Sequence, residues 1–134
     1  NARCIDFPFC ETVYKYPLHA KIQNCVITGS DQDELWMVVN DNIEFKPFFK
    51  NCTFRIDELS KVFPGFSTMY TDACEIYPVF DRLFKDISSN DFHLDTLSFL
   101  ENKALIIPGI DKDLDGVLRD VDHPDIGCYE FVPR

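Results

Sequence analysis

Two stretches, Ile22-Gln-Asn-Cys-Val-Ile27 and Phe49-Lys-Asn-Cys-Thr-Phe54, repeat one pattern at an offset of 27 residues (49 − 22). Apolar residues hold the first, fourth and sixth places, so strict strand alternation breaks at the Asn. Asn tolerates the left-handed backbone region that a bend between two short strands needs. A coil of a few short strands separated by bends takes about this many residues. Stacking the copies puts Asn24 over Asn51 and Cys25 over Cys52, with like side chains forming ladders across parallel strands.

Between the copies, Glu34-Leu-Trp-Met-Val-Val39 reads as a strand with Leu35, Met37 and Val39 on one face. Asp41 and Asn42 mark a turn into a second strand over Ile43–Phe49, where Pro47 limits pairing on one side. Ile56, Leu59 and Phe63 stand at helical spacing, which predicts a short helix closed by Pro64-Gly65. The segment 1–21 has no clean period and is read as irregular. The coils then occupy 22–107, and 108–134 forms a terminal loop with a last capping strand over Ile126–Phe131, all in one domain.

The 134 residues suit that single domain, which buries roughly two thirds of its unfolded surface. Thirteen Phe and 46% hydrophobic residues rule against disorder. With 23 acidic against 13 basic residues and no Lys/Arg block, the net charge of −10 argues against nucleic acid and anionic lipid heads. It suits solubility, divalent cations or a neutral ligand. No apolar run reaches the ~18 residues of a membrane span. The six Cys lack the C-x-x-C clusters of structural zinc. Cys4 and Cys10 could bridge a short loop in an oxidising compartment, while buried free thiols are the equal alternative for the rest.

The chain closes on Asp111-Lys-Asp-Leu-Asp-Gly-Val-Leu-Arg119 and Pro124-Asp-Ile-Gly-Cys-Tyr-Glu-Phe131. This resembles the D-x-D-G-x-x-R and P-D-I-G-A-Y-E ending of right-handed parallel β-helix proteins from bacterial cell surfaces, including choice-of-anchor Q domains, with Cys128 in place of the Ala. Gly29, Asp33, Glu34 and Leu35 match that family's G-x-x-x-D-E-L stretch. Phe45, Phe49, Asn51 and Cys52 match its F-x-x-x-F-x-N-C, and Asp91-Phe-His-Leu94 its late D-F-H-L. Tyr77 stands where the family commonly has Asp. The resemblance implies an all-β chain with few right-handed parallel β-helix coils, export to a bacterial surface, and an export signal and further coils upstream of Asn1.

Asp111, Asp113 and Asp115 at alternate places, Gly116 at the sixth and Asp122 at the twelfth have the spacing of a calcium loop. Asp122 is shorter than the usual closing Glu, and Pro124 forbids a following helix, so turn chemistry with Arg119 as ion-pair partner competes with calcium. Trp36, Tyr70 and Tyr77 are the candidate sugar-stacking aromatics. His19, His93 and His123 show no metal spacing and are read as solvated or structurally bonded. Acidic pairs Asp33/Glu34 and Asp57/Glu58 could serve a lyase or hydrolase, yet two or three coils make a short groove. The expected function is therefore a non-catalytic exported module, structural or binding a polysaccharide or cell-surface glycan. The alternatives are a polysaccharide lyase or glycoside hydrolase remnant and a protein adhesin, and an open coil edge suits a homo-oligomer.

Overall fold

The structure is a computed structural model and describes residues 2–4, 13–37, 43–59, 65–77 and 83–133. Among the described residues it is mostly strands, with few and short helical segments, so the all-β expectation holds. β1 (Ala2–Cys4) pairs antiparallel with β2 (Val13–Lys15). The centre consists of two parallel three-stranded sheets. In the first, β5 (Phe45–Lys50) lies between β3 (Leu18–Gln23) and β7 (Thr71–Asp72). In the second, β6 (Thr53–Phe54) lies between β4 (Val26–Ile27) and β8 (Glu75–Ile76).

Registers follow the repeat. Ile22 pairs with Phe49 and Val26 with Thr53, which sets Asn24 beside Asn51. The third strand of each sheet keeps the phase with a shorter step, since Phe49 pairs with Thr71 and Thr53 with Glu75. Each chain passage turns from one sheet to the other through a residue of positive φ: Asn24 at 50°, Asn51 at 51° and Ala73 at 52°. Only Gly and Asn adopt that region readily, so the two Asn sit where their side chains suit the backbone and Ala73 bears strain.

Pro47 sits inside β5 opposite Ala20. The Phe49 and Asn51 N–H groups point toward the β7 side, to Tyr70 O at 2.8 Å and Asp72 O at 2.8 Å. By alternation the Pro47 nitrogen faces that side too, and β7 begins only opposite Phe49. The missing N–H therefore costs no ladder bond.

Apolar side chains fill two cores. Phe49, Cys52, Phe54, Ile56, Leu59 and Phe66 form the first, with Phe54 edge-on to Phe49 at 5.1 Å and to Phe66 at 5.7 Å. Phe66 belongs to the one-turn helix α1 (Phe66–Met69). Leu83, Leu94, Leu100 and Ile126 form the second. Adjacent residues of β4 divide between them, Ile27 packing on the first and Val26 on the second. Above the second core, β9 (Phe84–Asp86) and β10 (Asp91–Leu94) pair antiparallel around a 3₁₀ turn at Ile87–Ser89.

Several sequence expectations need correction. The segment 1–21 is not irregular throughout, because it contains β1 and β2 and because β3 starts at Leu18, four residues before Ile22. Residues 34–37 are not a strand, although their alternation is real: Leu35 and Met37 pack on the first core while Trp36 points out, 79% exposed. What they lack among the described residues is a neighbouring strand, having only the Asp33–Ile56 bridge and the Glu34 N–H to Arg55 O bond at 3.0 Å. Val38 and Val39, the second half of the helix expected over 56–63, and the Cys4 and Cys10 side chains lie outside the described residues.

Ile126–Phe131 is no capping strand either. Its N–H groups go to scattered acceptors: Ile126 to Leu100 O at 3.0 Å, Gly127 to Asn24 O at 3.1 Å, Glu130 and Phe131 to carboxylates of Asp113 and Asp125. Parallel stacking ends at Glu75–Ile76 among the described residues, so the strands do not continue as a solenoid.

Candidate functional site

The Asn pair at the bends does more than permit the backbone. The Asn51 amide nitrogen donates to Asn24 Oδ1 at 3.1 Å and to the Lys103 carbonyl at 2.7 Å. Asn24 in turn donates to the Leu105 carbonyl at 2.7 Å and accepts from the Leu105 N–H at 3.0 Å. The segment Lys103–Leu105 thus runs across the paired strands, one carbonyl per bend, clamped as a backbone partner would be. Ala104 N–H closes the other side on Pro124 O at 2.7 Å.

This clamp builds a cleft of about 650 Å³ between the Asn24 bend and the C-terminal segment. Its walls are largely apolar, with Val26, Phe84, Phe92, Ile106, Ile110 and Val121 prominent. Ile106, Ile110 and Val121 are 62%, 51% and 79% exposed. These aliphatics line the concavity while staying exposed, so they belong to neither core.

The closing motif is a lock made from its own residues. Arg119 bonds Glu130 Oε1 at 2.7 Å, the Asp125 carbonyl at 3.1 Å and the Gly127 carbonyl at 2.9 Å. Glu130 is buried and also accepts the Asp125 and Asp120 N–H groups. Asp125, buried as well, accepts from Asn102 N–H and Phe131 N–H, each at 2.6 Å. Asp113 accepts the Asp115 and Val117 N–H groups on one oxygen and Glu130 N–H on the other. Gly116 has φ +79°, which the tight turn between Asp113 and Val117 requires.

Two of the four expected metal residues therefore have carboxylates engaged elsewhere, and the other two are held through their backbone alone. Asp113 is spent on backbone N–H groups, and Asp115 Oδ2 meets His93 Nε2 at 2.8 Å. Asp111 gives its carbonyl to Arg119 N–H, and Asp122 N–H bonds Asp120 Oδ1 at 2.8 Å. Among the described residues no group of three or more His, Cys, Asp or Glu is arranged to hold a metal ion.

His93 lies between two carboxylates, with Nδ1 2.5 Å from Asp91 Oδ1, and its ring stacks on Tyr129 at 4.1 Å. Asp115 and Asp91 raise its pKa above the ordinary value, and its presence lowers that of Asp91. The clasp ties β10 to the acidic loop. The His19 ring pairs with Glu44, whereas His123 bonds Asp120 through its backbone N–H.

The three expected ligand aromatics are not gathered. Trp36 stands in solvent. Tyr70 packs on the first core beside Phe45 and Phe66, and Tyr77 stacks on Phe99 at 4.9 Å in the second. Asp33, a candidate acid, instead accepts the N–H groups of Asp57 at 2.7 Å, Glu58 and Leu59, which fixes the turn after Ile56.

The cysteine ladder has three members, Cys25, Cys52 and Cys74, the last 22 residues beyond Cys52 and bonded through its sulfur to the Cys52 N–H at 3.2 Å. A hydrogen bond from Cys52 lowers the Cys25 thiol to about 6 and raises that of Cys52. The third strand of each sheet was hidden in sequence because Ala73 takes the Asn place. Its only signal is Cys74 followed by Glu75 and Ile76. Comparison with protein-family models, curated proteins and solved structures finds no match to this chain.

Proposed function

We propose that the chain is the C-terminal part of a right-handed parallel β-helix displayed at a bacterial surface. In this reading it acts as a non-catalytic structural or glycan-binding module. The observation that carries it is the Asn51–Asn24 amide bond within parallel registers, since a bend repeated in phase is what stacked coils require. The closing motif supports the same reading. Its charged residues are consumed in fixing the closing segment, while the apolar cleft and the exposed Trp36 offer contact surfaces.

Two observations favour non-catalytic over catalytic. Arg119, the cation beside the cleft, is committed to Glu130 and two carbonyls, and Asp33 to three N–H groups. Lyase chemistry would need a free cation beside a free base.

A glycan-array screen of the purified chain, with calcium and with chelator, followed by product analysis of every hit, tests this. Binding without product, lost in Trp36→Ala, supports a glycan module. Silence on every glycan selects the structural role. Shortened or unsaturated products overturn the proposal in favour of an enzyme, and loss of binding in chelator assigns calcium to the Asp111–Asp122 loop.

A further inference from the structure

The upper end of the strand stack is open in three ways among the described residues. First, β3 is an edge strand, paired only with β5. The Leu18 and Asn24 N–H groups bond Glu44 O and Lys50 O, so the even residues face β5 and the N–H groups of His19, Lys21 and Gln23 point away from it. Second, the Asn ladder is unfinished. Asn51 uses both amide hydrogens, one on the crossing segment and one on the Asn above it. Asn24 uses one, on Leu105, and its second finds no acceptor. Third, the apolar cleft opens at that same bend, lined by Gln23, Asn24, Cys25 and Val26.

We propose that this end binds one more coil: an extended peptide segment with Asn at its bend, pairing parallel to Leu18–Ile27. The free N–H groups recur at strand spacing, which fits a backbone and not a sugar ring. The unused Asn24 hydrogen points where the next Asn oxygen would lie if the step from Asn51 to Asn24 were taken again. The cleft would receive the apolar side chain after that bend. A basic segment also suits a chain of net charge −10.

The proposal rests on reading the strands as stacked coils, and the probe follows from it. A fluorescent peptide with the sequence of Leu18–Ile27 keeps an N–H at every position facing the protein, unlike the Phe45–Phe54 sequence with its Pro47. Fluorescence anisotropy under reducing conditions should show saturable binding at one peptide per chain. Replacing the peptide's Asn by Ala should weaken binding by about tenfold, the worth of one well-made hydrogen bond.

On the protein, Lys21→Pro removes an outward N–H while leaving the bonds to β5, and should weaken binding at least as much. Val121→Asp places a charge in the cleft from a side chain exposed enough to leave the fold intact, and should weaken it too. No saturable binding, or binding indifferent to both variants, overturns the proposal. A dimer of the chain that Lys21→Pro abolishes, without peptide binding, also overturns it and assigns the edge to a second copy. Amide hydrogen exchange on the same sample separates the two failures. Protected Asn24, Thr53 and Arg55 amides without peptide binding sink only this proposal, whereas unprotected ones sink the stacked-coil reading itself.

Discussion

Asn51 is the residue on which bend, ladder and crossing segment converge, and replacing it by Ala separates their contributions. The change deletes the bonds to Asn24 Oδ1 and Lys103 O, each worth about 0.5–1.5 kcal/mol net. It also puts a Cβ-bearing residue without a helpful side chain at φ 51°, at a cost of about 1 kcal/mol over Asn. Lys103 is exposed, so water can take over its carbonyl and no buried-acceptor penalty is added. The expected loss is about 2–4 kcal/mol, a large part of the stability of an ordinary domain. Asn51→Gly frees the backbone and loses the same hydrogen bonds, so it should fall short of Ala by about 1 kcal/mol.

Urea unfolding followed by far-UV circular dichroism measures both, provided the slope against denaturant stays constant across the set. In a thermal melt the Ala variant should lose on the order of 10 °C. Three outcomes refute the reasoning. A loss under 0.5 kcal/mol in Asn51→Ala means the ladder is decorative. Gly as costly as Ala means the left-handed bend is not strained. A changed slope means the variant altered the unfolded or native ensemble instead.

The converse change, Ala73→Asn, should stabilise by about 1–2 kcal/mol in the same assay. It relieves strain at φ 52° and offers an amide to Asn51 across a hollow of about 250 Å³. Arg119→Ala should cost about 3–5 kcal/mol, because it leaves the buried Glu130 carboxylate without its cation. A cost under 1 kcal/mol would mean Glu130 takes up a proton or water cheaply. The His93 clasp should be pH-dependent with a definite sign. Its folded pKa lies above the ordinary 6.5, so its contribution is full below about 6.5 and is lost as pH rises through the raised value. NMR titration of the ring should give that raised midpoint, and both Asp91→Asn and Asp115→Asn should lower it. Iodoacetamide near pH 7 should label Cys25 ahead of Cys52, read by peptide mass spectrometry, since the Cys25 thiol pKa is lowered and that of Cys52 is raised.

The parallel pairing was legible because Asn-Cys recurs in both copies with apolar flanks, and a one-residue slip would have turned every side chain to the wrong face. The third strand of each sheet was not, because Ala73 adopts the bend without the residue type that announces it. Leu35 and Met37 do share one face as their alternation predicts, but alternation says where side chains point and not whether another strand lies alongside. The same limit explains Ile126–Phe131, where an apolar run ends up wired to carboxylates. Nor could spacing reveal that Asn24 and Leu105, 81 residues apart, would pair like neighbouring backbones.

The acidic loop illustrates how far a motif's spacing can stand from its use. Alternate Asp residues before a Gly provide oxygens to a hard cation only if those oxygens are free to converge. Here one Asp113 oxygen takes two N–H groups from its own turn and the other takes Glu130 N–H, which in turn seats the carboxylate that holds Arg119. A cation drawing Asp113 away would release Glu130 and loosen the Arg119 lock across the Asp125 turn. Any calcium affinity of this loop must therefore be measured against the stability of the chain's own ending. Binding and folding would oppose each other at Asp113, while Asp111 and Asp122 could contribute oxygens at little structural cost because their side chains lie outside the lock.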